Sequence, residues 1–286
     1  MSGNTTRARI FVAACASLVL ACQPASTPTA ATTTQVINDA FFSNGDVRLS
    51  YRLDIPRRSG GPVGAVVFGH GSGMVTKDSC RFLADQFLLR GFATLCYDKR
   101  GVGLSTGRFV FVGAKDSISV FEDLASDMAA GVAFLRTRPE IDPHRIGLAG
   151  VSQAGWIVPI AAQKSRPAFM VLLVGPTVSV GIEGFYSRIV EDTDATVEEG
   201  YRQLPSFNGF HGFDPKPTLE TLNVPGLWLL GGEDRSIPTP ATVAILEQLI
   251  AAGRPYEHVV FPGQGHNLAG ASIWVEIDRW LKQTLR

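Results

Sequence analysis

The sequence has few cysteines and no net charge. Only 4 of its 286 residues are cysteine, and 26 Lys and Arg residues balance 26 Asp and Glu residues. A chain of this length buries enough surface to fold without a disulfide scaffold or a structural metal. With no net charge and no long basic stretch, it lacks the electrostatic footprint of a protein that binds nucleic acid. We therefore expect no nucleic-acid partner, and one large domain or two small ones.

Sequence motifs for metals and cofactors are also missing. No spacing of Cys and His suggests zinc or haem, and no G-x-G-x-x-G opens a helix after a strand-like run. A phosphate loop would be the alternative interpretation of the glycines after Lys99, but the chain has no G-x-x-x-x-G-K-[ST] pattern. We expect neither a metal nor an organic cofactor.

The first hydrophobic run is too short to cross a membrane. It covers residues 10–21, follows a polar start with two arginines, and ends at Cys22. This layout is typical of a signal peptide, predicted here as residues 1–21. Residues 18–22, LVLAC, resemble a bacterial lipobox. The resemblance implies cleavage before Cys22, acylation of that residue and a membrane anchor. An ordinary secretory signal or a core cysteine are the alternatives.

Residues 22–35 are predicted to tether the anchor to the folded domain. Their Pro, Thr and Ala tract is uncharged and almost free of large apolar groups, so it cannot pack into a core. Gln23 stands where an Asp would be the usual signal for retention in an inner membrane. In a cell with two membranes, we therefore expect the exported protein on the outer one. Without residues 1–21, a net charge of about −2 remains.

Export also bears on the cysteines of the mature domain. Cys80 and Cys96 are the two that remain there once the signal and the anchor are set aside. An oxidising compartment permits a disulfide between them. The sequence does not supply their separation, so two unpaired buried cysteines are an equal alternative.

Residues 36–286 alternate short apolar runs with helical patterns. Two strand-like runs, 36–43 and 47–55, are separated by a hairpin signal at Asn44-Gly45-Asp46. Further strands are predicted at 65–68, 93–97, 146–149, 170–174, 227–230 and 258–261. Helical patterns lie at about 80–90, 118–137, 154–164, 239–252 and 272–285. Apolar strands with helical crossovers predict an α/β fold with a parallel sheet covered on both faces.

Residues 176–224 interrupt this alternation. The segment is rich in Gly and Pro and is read as irregular, with aromatic residues at Phe185, Tyr186, Tyr201, Phe207, Phe210 and Phe213. An irregular insert of this length is more often a functional lid than a plain connection, which predicts a short cap beside a pocket. An insert that packs its aromatic residues on one another is an equal alternative.

A strand, a sharp turn and the start of a helix are predicted around Ser152. Small residues at 150, 154 and 155 allow the close backbone approach that lifts the serine hydroxyl above the sheet. Gly150-Val-Ser152-Gln-Ala154 resembles the G-x-S-x-G nucleophile elbow of the α/β-hydrolase superfamily, with Ala at the second Gly position. Taken alone the match is weak, and an ordinary strand-to-helix turn is the alternative.

Two later strand ends supply the groups that such a serine needs. A nucleophilic serine requires a base to take its proton and an acid to orient the base. Asp234 follows the penultimate predicted strand and His266 follows the last, in the order that the superfamily uses. Glu233 is the alternative acid. Of the five histidines, only His266 combines a strand end, a flanking Gly and this order.

The loop after the first core strand is the candidate for binding the negative oxygen that forms during the reaction. His70-Gly71-Ser72-Gly73 resembles the H-G-x oxyanion loop of the same superfamily. The resemblance implies that the N–H groups of Ser72 and Gln153 bind the negative oxygen of the reacting acyl group. Gly73 replaces Ser72 if the loop is shifted by one residue. His70 is interpreted as a bracing side chain.

The loop after the next strand, Asp98-Lys-Arg100-Gly-Val-Gly-Leu-Ser105, resembles the superfamily's D-x-R-G-x-G-x-S loop. Asp98 and Arg100 are interpreted as structural braces at the top of the site. Within the superfamily, residues 142–153 together with residues 70–73 look most like the esterase and serine-aminopeptidase-like branch, near dienelactone-hydrolase-like proteins.

The resemblance covers nearly all of residues 36–286. It implies an α/β-hydrolase fold with a mostly parallel sheet, helices on both faces and a short cap. It further implies a serine hydrolase that cleaves carboxylic esters of a small acyl substrate through an acyl-enzyme. Amide or thioester cleavage by the same triad, and a non-catalytic binding protein tethered to the surface, are the alternatives.

Overall fold

The computed structural model describes residues 34–57, 60–193, 195–269 and 272–286. The predicted signal peptide, the anchor at Cys22 and most of the predicted tether lie outside these residues. The folded domain begins earlier than predicted, because Thr34 and Gln35 are already part of the first strand. No helix in the described ranges is long and apolar enough to cross a membrane.

Within the described residues, eight strands form one sheet. They are β1 (Thr34–Asn44), β2 (Val47–Pro56), β3 (Val63–Gly69), β4 (Ala93–Tyr97), β5 (Ile141–Val151), β6 (Phe169–Leu173), β7 (Gly226–Gly231) and β8 (Tyr256–Phe261). Their order across the sheet is β1-β2-β4-β3-β5-β6-β7-β8. The pairings of β2 with β1 and with β4 are antiparallel and the other five pairings are parallel, so the predicted, mostly parallel sheet is confirmed.

The same part of the chain holds eight α-helices. They are α1 (Arg81–Leu89), α2 (Ser117–Arg136), α3 (Ala154–Ser165), α4 (Val180–Asp192), α5 (Val197–Gln203), α6 (Lys216–Thr221), α7 (Thr239–Ala251) and α8 (Ile273–Thr284). Five of them match the predicted helices to within a residue or two. The other three lie in the insert.

Hydrophobic cores form on both faces of the sheet because successive side chains of a strand point to opposite sides. In β3, Ala65 and Val67 belong to one core, and Val66 and Phe68 belong to the other. The first core also contains buried residues of α2, α3 and α7, and the second contains those of α1 and α8. Helices therefore cover both faces, as predicted.

The insert at 176–224 is mostly helical, so its interpretation as irregular is wrong. Local capping explains why these helices form. The Ser179 hydroxyl accepts the N–H of Ile182 at the start of α4, and Thr196 and Glu199 form a reciprocal capping box at α5. These capping residues are present in the sequence as S-x-x-I at 179–182 and T-x-x-E at 196–199, but the high Gly and Pro content of the insert favoured an irregular prediction.

The aromatic residues of the insert pack in two ways. Phe185 contacts Phe207, whose ring also meets His211, so part of the set packs within the insert. Phe213 instead packs edge-on against Phe121 of α2. Trp156 of α3 donates its indole N–H to the Val178 carbonyl oxygen at 2.8 Å. The insert is thus attached to the α/β core at its first and last parts.

A disulfide joins Cys80 to Cys96, with Cα atoms 6.3 Å apart. It ties the turn before α1 to the middle of the sheet in β4. Since the bond closes a loop of 16 residues, its removal is expected to cost about 3 kcal/mol, which lowers Tm by about 6–12 °C. Thermal unfolding with and without a reductant measures this.

The double variant Cys80→Ser/Cys96→Ser is the control for that measurement. It should unfold at the Tm of the reduced native protein and should not respond to the reductant. Equal Tm values for oxidised, reduced and double-variant protein would contradict a stabilising disulfide.

Candidate active site

Ser152 lies in a strained turn between β5 and α3. Its φ angle is 56°, a left-handed conformation that residues other than Gly seldom adopt. The Ser152 N–H donates to the Leu173 carbonyl oxygen of β6 at 2.9 Å, and the Ser152 carbonyl oxygen accepts the Gly155 N–H at 2.8 Å. These bonds hold the turn that a nucleophile elbow requires.

Two glycines make this turn sterically possible. A side chain at Gly150 would collide with the Cβ atom of Ala154, and a Cβ atom on Gly155 would lie 2.6 Å from the Pro176 nitrogen. Ala154 itself is fully buried and fits against the bare backbone of Gly150. Ala is therefore compatible with the second Gly position of the motif, as expected.

His266 and Asp234, which follow β8 and β7, are paired with one another. The Nδ1 atom of His266 lies 2.9 Å and 3.1 Å from the two carboxylate oxygens of Asp234. Asp234 is buried, and its Oδ1 atom also accepts the N–H groups of Ser236 and Ile237, each at 2.9 Å. Tyr186 of α4 donates its hydroxyl to the Asp234 carbonyl oxygen at 2.8 Å. The loop that carries Asp234 is thus held by its own backbone and by α4 of the insert.

Glu233, the alternative acid, is not the residue paired with His266. Its side chain is exposed, and its N–H donates to the Gln264 carbonyl oxygen at 2.8 Å. Within the described residues its carboxylate makes no hydrogen bond to His266, so the geometry favours Asp234 as the partner of the imidazole.

The serine and the imidazole are not bonded to one another. In the described part of the chain, no hydrogen bond joins the Ser152 hydroxyl to His266. Such contacts are often long in unliganded enzymes and tighten when substrate binds. The structure therefore places acid and base together, and the contact of the base with Ser152 belongs to the proposed mechanism.

The environment of His266 favours its protonated form. Burial lowers the pKa of His266, but the hydrogen bond and charge of Asp234, with the charges of Glu183 and Glu191, outweigh burial and raise that pKa above 6.5. A general base at this position is lost when the ring is protonated.

Activity is therefore expected to fall as the pH drops through this raised pKa. Because only the neutral ring accepts a proton, kcat/KM should decrease about tenfold for each pH unit below the pKa, starting above pH 6.5. Initial rates between pH 5 and 8, corrected with the Ser152→Ala protein as a blank, measure the profile. A rate independent of pH over that range would contradict a histidine base.

The predicted oxyanion donors come from two segments of the chain. Ser72 follows β3, and Gln153 is the N-cap residue of α3. Among the described residues, no protein acceptor is bonded to the N–H of either one. The N-terminus of α3 adds a partial positive charge at the same place. Both groups are free to donate to an incoming oxygen.

His70 and the loop after β4 have the bracing roles that were predicted. His70 is buried and its Nε2 atom lies 2.6 Å from the Tyr97 carbonyl oxygen, and burial lowers the His70 pKa to about 3. The ring is therefore neutral and donates from Nε2. Asp98 accepts the N–H groups of Lys77 and Leu104. Arg100 holds the carboxylate of Asp127 on α2 through two bonds of 2.7 Å.

Two charged residues near the site were missed by the sequence analysis. Lys99 is buried, and its ammonium donates to carbonyl oxygens of the predicted oxyanion loop. Glu183 of α4 carries a carboxyl whose pKa is raised to about 8, chiefly by burial. No local pattern marks either residue, because their neighbours come from distant parts of the sequence. In the described ranges, no three His, Cys, Asp or Glu side chains cluster as metal ligands.

Comparison with known proteins shows the family of this chain. The sequence model of the prolyl oligopeptidase family matches residues 81–285. A Methylorubrum extorquens protein, provisionally named a carboxymethylenebutenolidase, is 28% identical over 192 residues, which are 66% of this chain and 57% of the relative. Thiohydrolase aneE of Aspergillus aculeatus is 29% identical over 179 residues, 63% of this chain and 52% of that protein. The chain thus spans less than two thirds of these relatives.

Solved structures share the fold. The crystal structure of a dienelactone hydrolase from Anabaena variabilis superposes with a TM-score of 0.56 at 19% identity, covering 87% of this chain and 98% of the other. Since the family match takes in more than two thirds of the sequence and helices cover both faces of the mostly parallel sheet, this chain is an α/β hydrolase that belongs to the prolyl oligopeptidase family.

Proposed function

We propose that this protein is a serine hydrolase that cleaves carboxylic esters through an acyl-enzyme intermediate. The observation that carries the proposal is the His266–Asp234 pair at the ends of β8 and β7. The strained Ser152 turn follows β5 of the same parallel sheet. Parallel strands present their carboxyl ends at one edge of the sheet, which supports a site formed by these three segments.

In the acylation step, the Ser152 oxygen attacks the acyl carbon of the ester and His266 Nε2 takes the hydroxyl proton. Asp234 accepts the Nδ1–H of the ring and stabilises the imidazolium that forms. The acyl oxygen becomes negative and is bound by the N–H groups of Ser72 and Gln153. The carbon–oxygen bond to the alcohol then breaks, and the alcohol leaves with the proton from His266.

Deacylation repeats these roles with water. His266 takes a proton from a water molecule, whose oxygen attacks the Ser152 ester. The same N–H groups bind the second tetrahedral intermediate, and Ser152 leaves with the proton that His266 returns. The products are a carboxylic acid and the regenerated enzyme, so the cycle consumes one water and needs no other reactant.

The nature of the bond is the open part of this proposal. One relative is named a thiohydrolase and the family is named for peptidases, so thioesters and amides are the alternatives that the comparisons favour. The same residues would serve them, since only the leaving atom differs.

A panel with one acyl group and three leaving groups tests the proposal. Rates of the purified protein on a p-nitrophenyl ester, an acyl thioester and an acyl p-nitroanilide are compared, with the Ser152→Ala protein as the blank. We expect the largest kcat/KM for the ester. A larger value for the amide or the thioester would replace the ester assignment, and rates equal to the blank on all three would contradict a hydrolase of this type.

We also propose that the mature protein is exported and anchored to a membrane through a lipid on Cys22. The Cys80–Cys96 disulfide supports export, because disulfides persist in oxidising compartments. Detergent phase partitioning of the protein from cells tests the anchor, and recovery in the aqueous phase would contradict it.

A further inference from the structure

Lys99 connects the two segments that flank the candidate oxyanion hole. Its ammonium lies 2.8 Å from the Gly71 carbonyl oxygen, 3.1 Å from that of Gly73 and 3.1 Å from the side-chain oxygen of Gln153. An ammonium has three N–H donors. Each donor of Lys99 is therefore used, and all three acceptors belong to residues beside the predicted site.

The bond to Gly71 fixes the direction of a catalytic donor. The carbonyl of Gly71 and the N–H of Ser72 belong to one planar trans peptide, in which they point in opposite directions. Holding the oxygen towards Lys99 therefore turns the Ser72 N–H away from the lysine. A cation on the oxygen also polarises the peptide and makes its N–H a stronger donor.

The same bonds discriminate between Ser72 and Gly73 as the donor. The Gly73 N–H shares its peptide with the Ser72 carbonyl, and Lys99 does not bond that oxygen. Of these two candidates, therefore, only the Ser72 N–H has its peptide plane set by the lysine, since the bond to the Gly73 oxygen sets the plane of the next peptide, Gly73–Met74. On the other side, Lys99 holds the side chain of Gln153, whose backbone N–H is the second donor.

The charge of Lys99 is not neutralised by a carboxylate. In the described ranges, Lys99 forms no ion pair, although it is 2% exposed. A buried cation without a partner is costly, and a simple brace between loops does not need one. A positive charge behind the Gly71–Ser72 peptide is useful where a negative oxygen develops.

Within the described residues, none of the other charged or titratable groups around Lys99 forms an ion pair with it. They are His70, Asp98, Arg100, Arg108 and Asp123. His70 is neutral, Asp98 pairs with Lys77 at 3.2 Å, and Arg100 pairs with Asp123 and Asp127. Burial lowers the pKa of Lys99 to about 8. The ammonium therefore loses a proton, and one of its three bonds, in the mildly alkaline range.

We propose that Lys99 is a positioning residue that orients the Ser72 N–H, together with the Gln153 segment, to bind the oxyanion of the reacting ester. The inference rests on the proposed serine-hydrolase function. Lys99 acts through the peptide it holds and does not touch the substrate.

The variant Lys99→Met tests this inference with a p-nitrophenyl ester. Because the oxyanion exists only in the transition state, kcat should fall about 10²-fold while KM changes less than about threefold. The native kcat should also decline above pH 8, and this alkaline limb should disappear in Lys99→Met. Lys99→Arg, which keeps a cation, should recover part of the loss.

Lys77→Met is the matched control for losing a buried lysine. Lys77 bonds Asp98 and Asp39 in the same region but makes no bond to the oxyanion loop. We expect a fall in Tm with the alkaline limb retained. Loss of the limb in Lys77→Met as well would contradict a specific role for Lys99.

The outcomes separate this inference from the proposed function. If the native protein is active, Ser152→Ala is inactive, and Lys99→Met keeps the native kcat, the inference is wrong and the function stands. If native and Ser152→Ala proteins are equally inactive, both are wrong. If Lys99→Met fails to fold, the pH dependence of kcat in the native protein tests the inference instead. A native kcat that stays constant from pH 7 to 9.5 would overturn it.

Discussion

Replacing Ser152 with alanine is expected to lower kcat by about 10⁶-fold, with little change in KM. The substitution removes the oxygen that forms the acyl-enzyme in the proposed mechanism, while the backbone turn keeps the hydrogen bonds to Leu173 and Gly155. Ester binding therefore persists, but the covalent route is lost. Initial rates on a p-nitrophenyl ester at pH 8 give both constants.

Labelling by a fluorophosphonate probe tests independently whether Ser152 is the nucleophile. The native protein should carry one phosphonyl group on Ser152, located by peptide mass spectrometry, and Ser152→Ala should carry none. Ser126→Ala on α2 is the control, since the Ser126 hydroxyl bonds only the Glu122 carbonyl oxygen of its own helix. Retained activity or retained labelling in Ser152→Ala would mean that another residue is the nucleophile.

Much of the sheet was predictable because its central strands are buried on both faces. β6 and β7 appear in the sequence as short apolar runs, and the predicted limits fall within one residue of the structure. β5 begins five residues earlier than predicted, at Ile141. Its first half contains Pro143 and exposed polar side chains, so no hydrophobic pattern marks it.

The site was predictable only where local geometry demands particular residues. The turn at Ser152 needs small neighbours, and these leave a trace in the sequence. Lys99 leaves none, because its acceptors are backbone carbonyls on a loop 26–28 positions away and one amide oxygen 54 positions away. Backbone acceptors exist at every residue, so such a contact is visible only in three dimensions.

The disulfide illustrates the same limit. Cys80 and Cys96 are 16 positions apart, a spacing that fits a bridge or two separate thiols equally well. The deciding fact is that the turn before α1 folds back onto β4, which brings their Cα atoms within 6.3 Å. That fold-back depends on the crossover from β3 through α1 to β4, which follows from the whole sheet.

Replacing Asp234 with asparagine is the second change with a large expected effect. Oδ1 of Asp234 accepts two backbone N–H groups at 2.9 Å, so the asparagine must place its carbonyl oxygen there. Its NH₂ group then faces His266 Nδ1 and donates to it. The imidazole is forced to carry its proton on Nε2, where it cannot accept the proton of Ser152. We expect kcat to fall about 10⁴-fold.

Glu233→Gln is the matched control, because it makes the same chemical change at the adjacent position. Glu233 is exposed and makes no bond to His266 in the described structure, so its kcat should stay within about twofold of native. The pH profile adds a second distinction. Loss of the Asp234 charge should move the acid limb to lower pH, since that charge and hydrogen bond raise the His266 pKa against burial. A larger loss of kcat in Glu233→Gln than in Asp234→Asn would assign the acid role to Glu233, and the observed pairing of Asp234 with His266 would then have to rearrange on substrate binding.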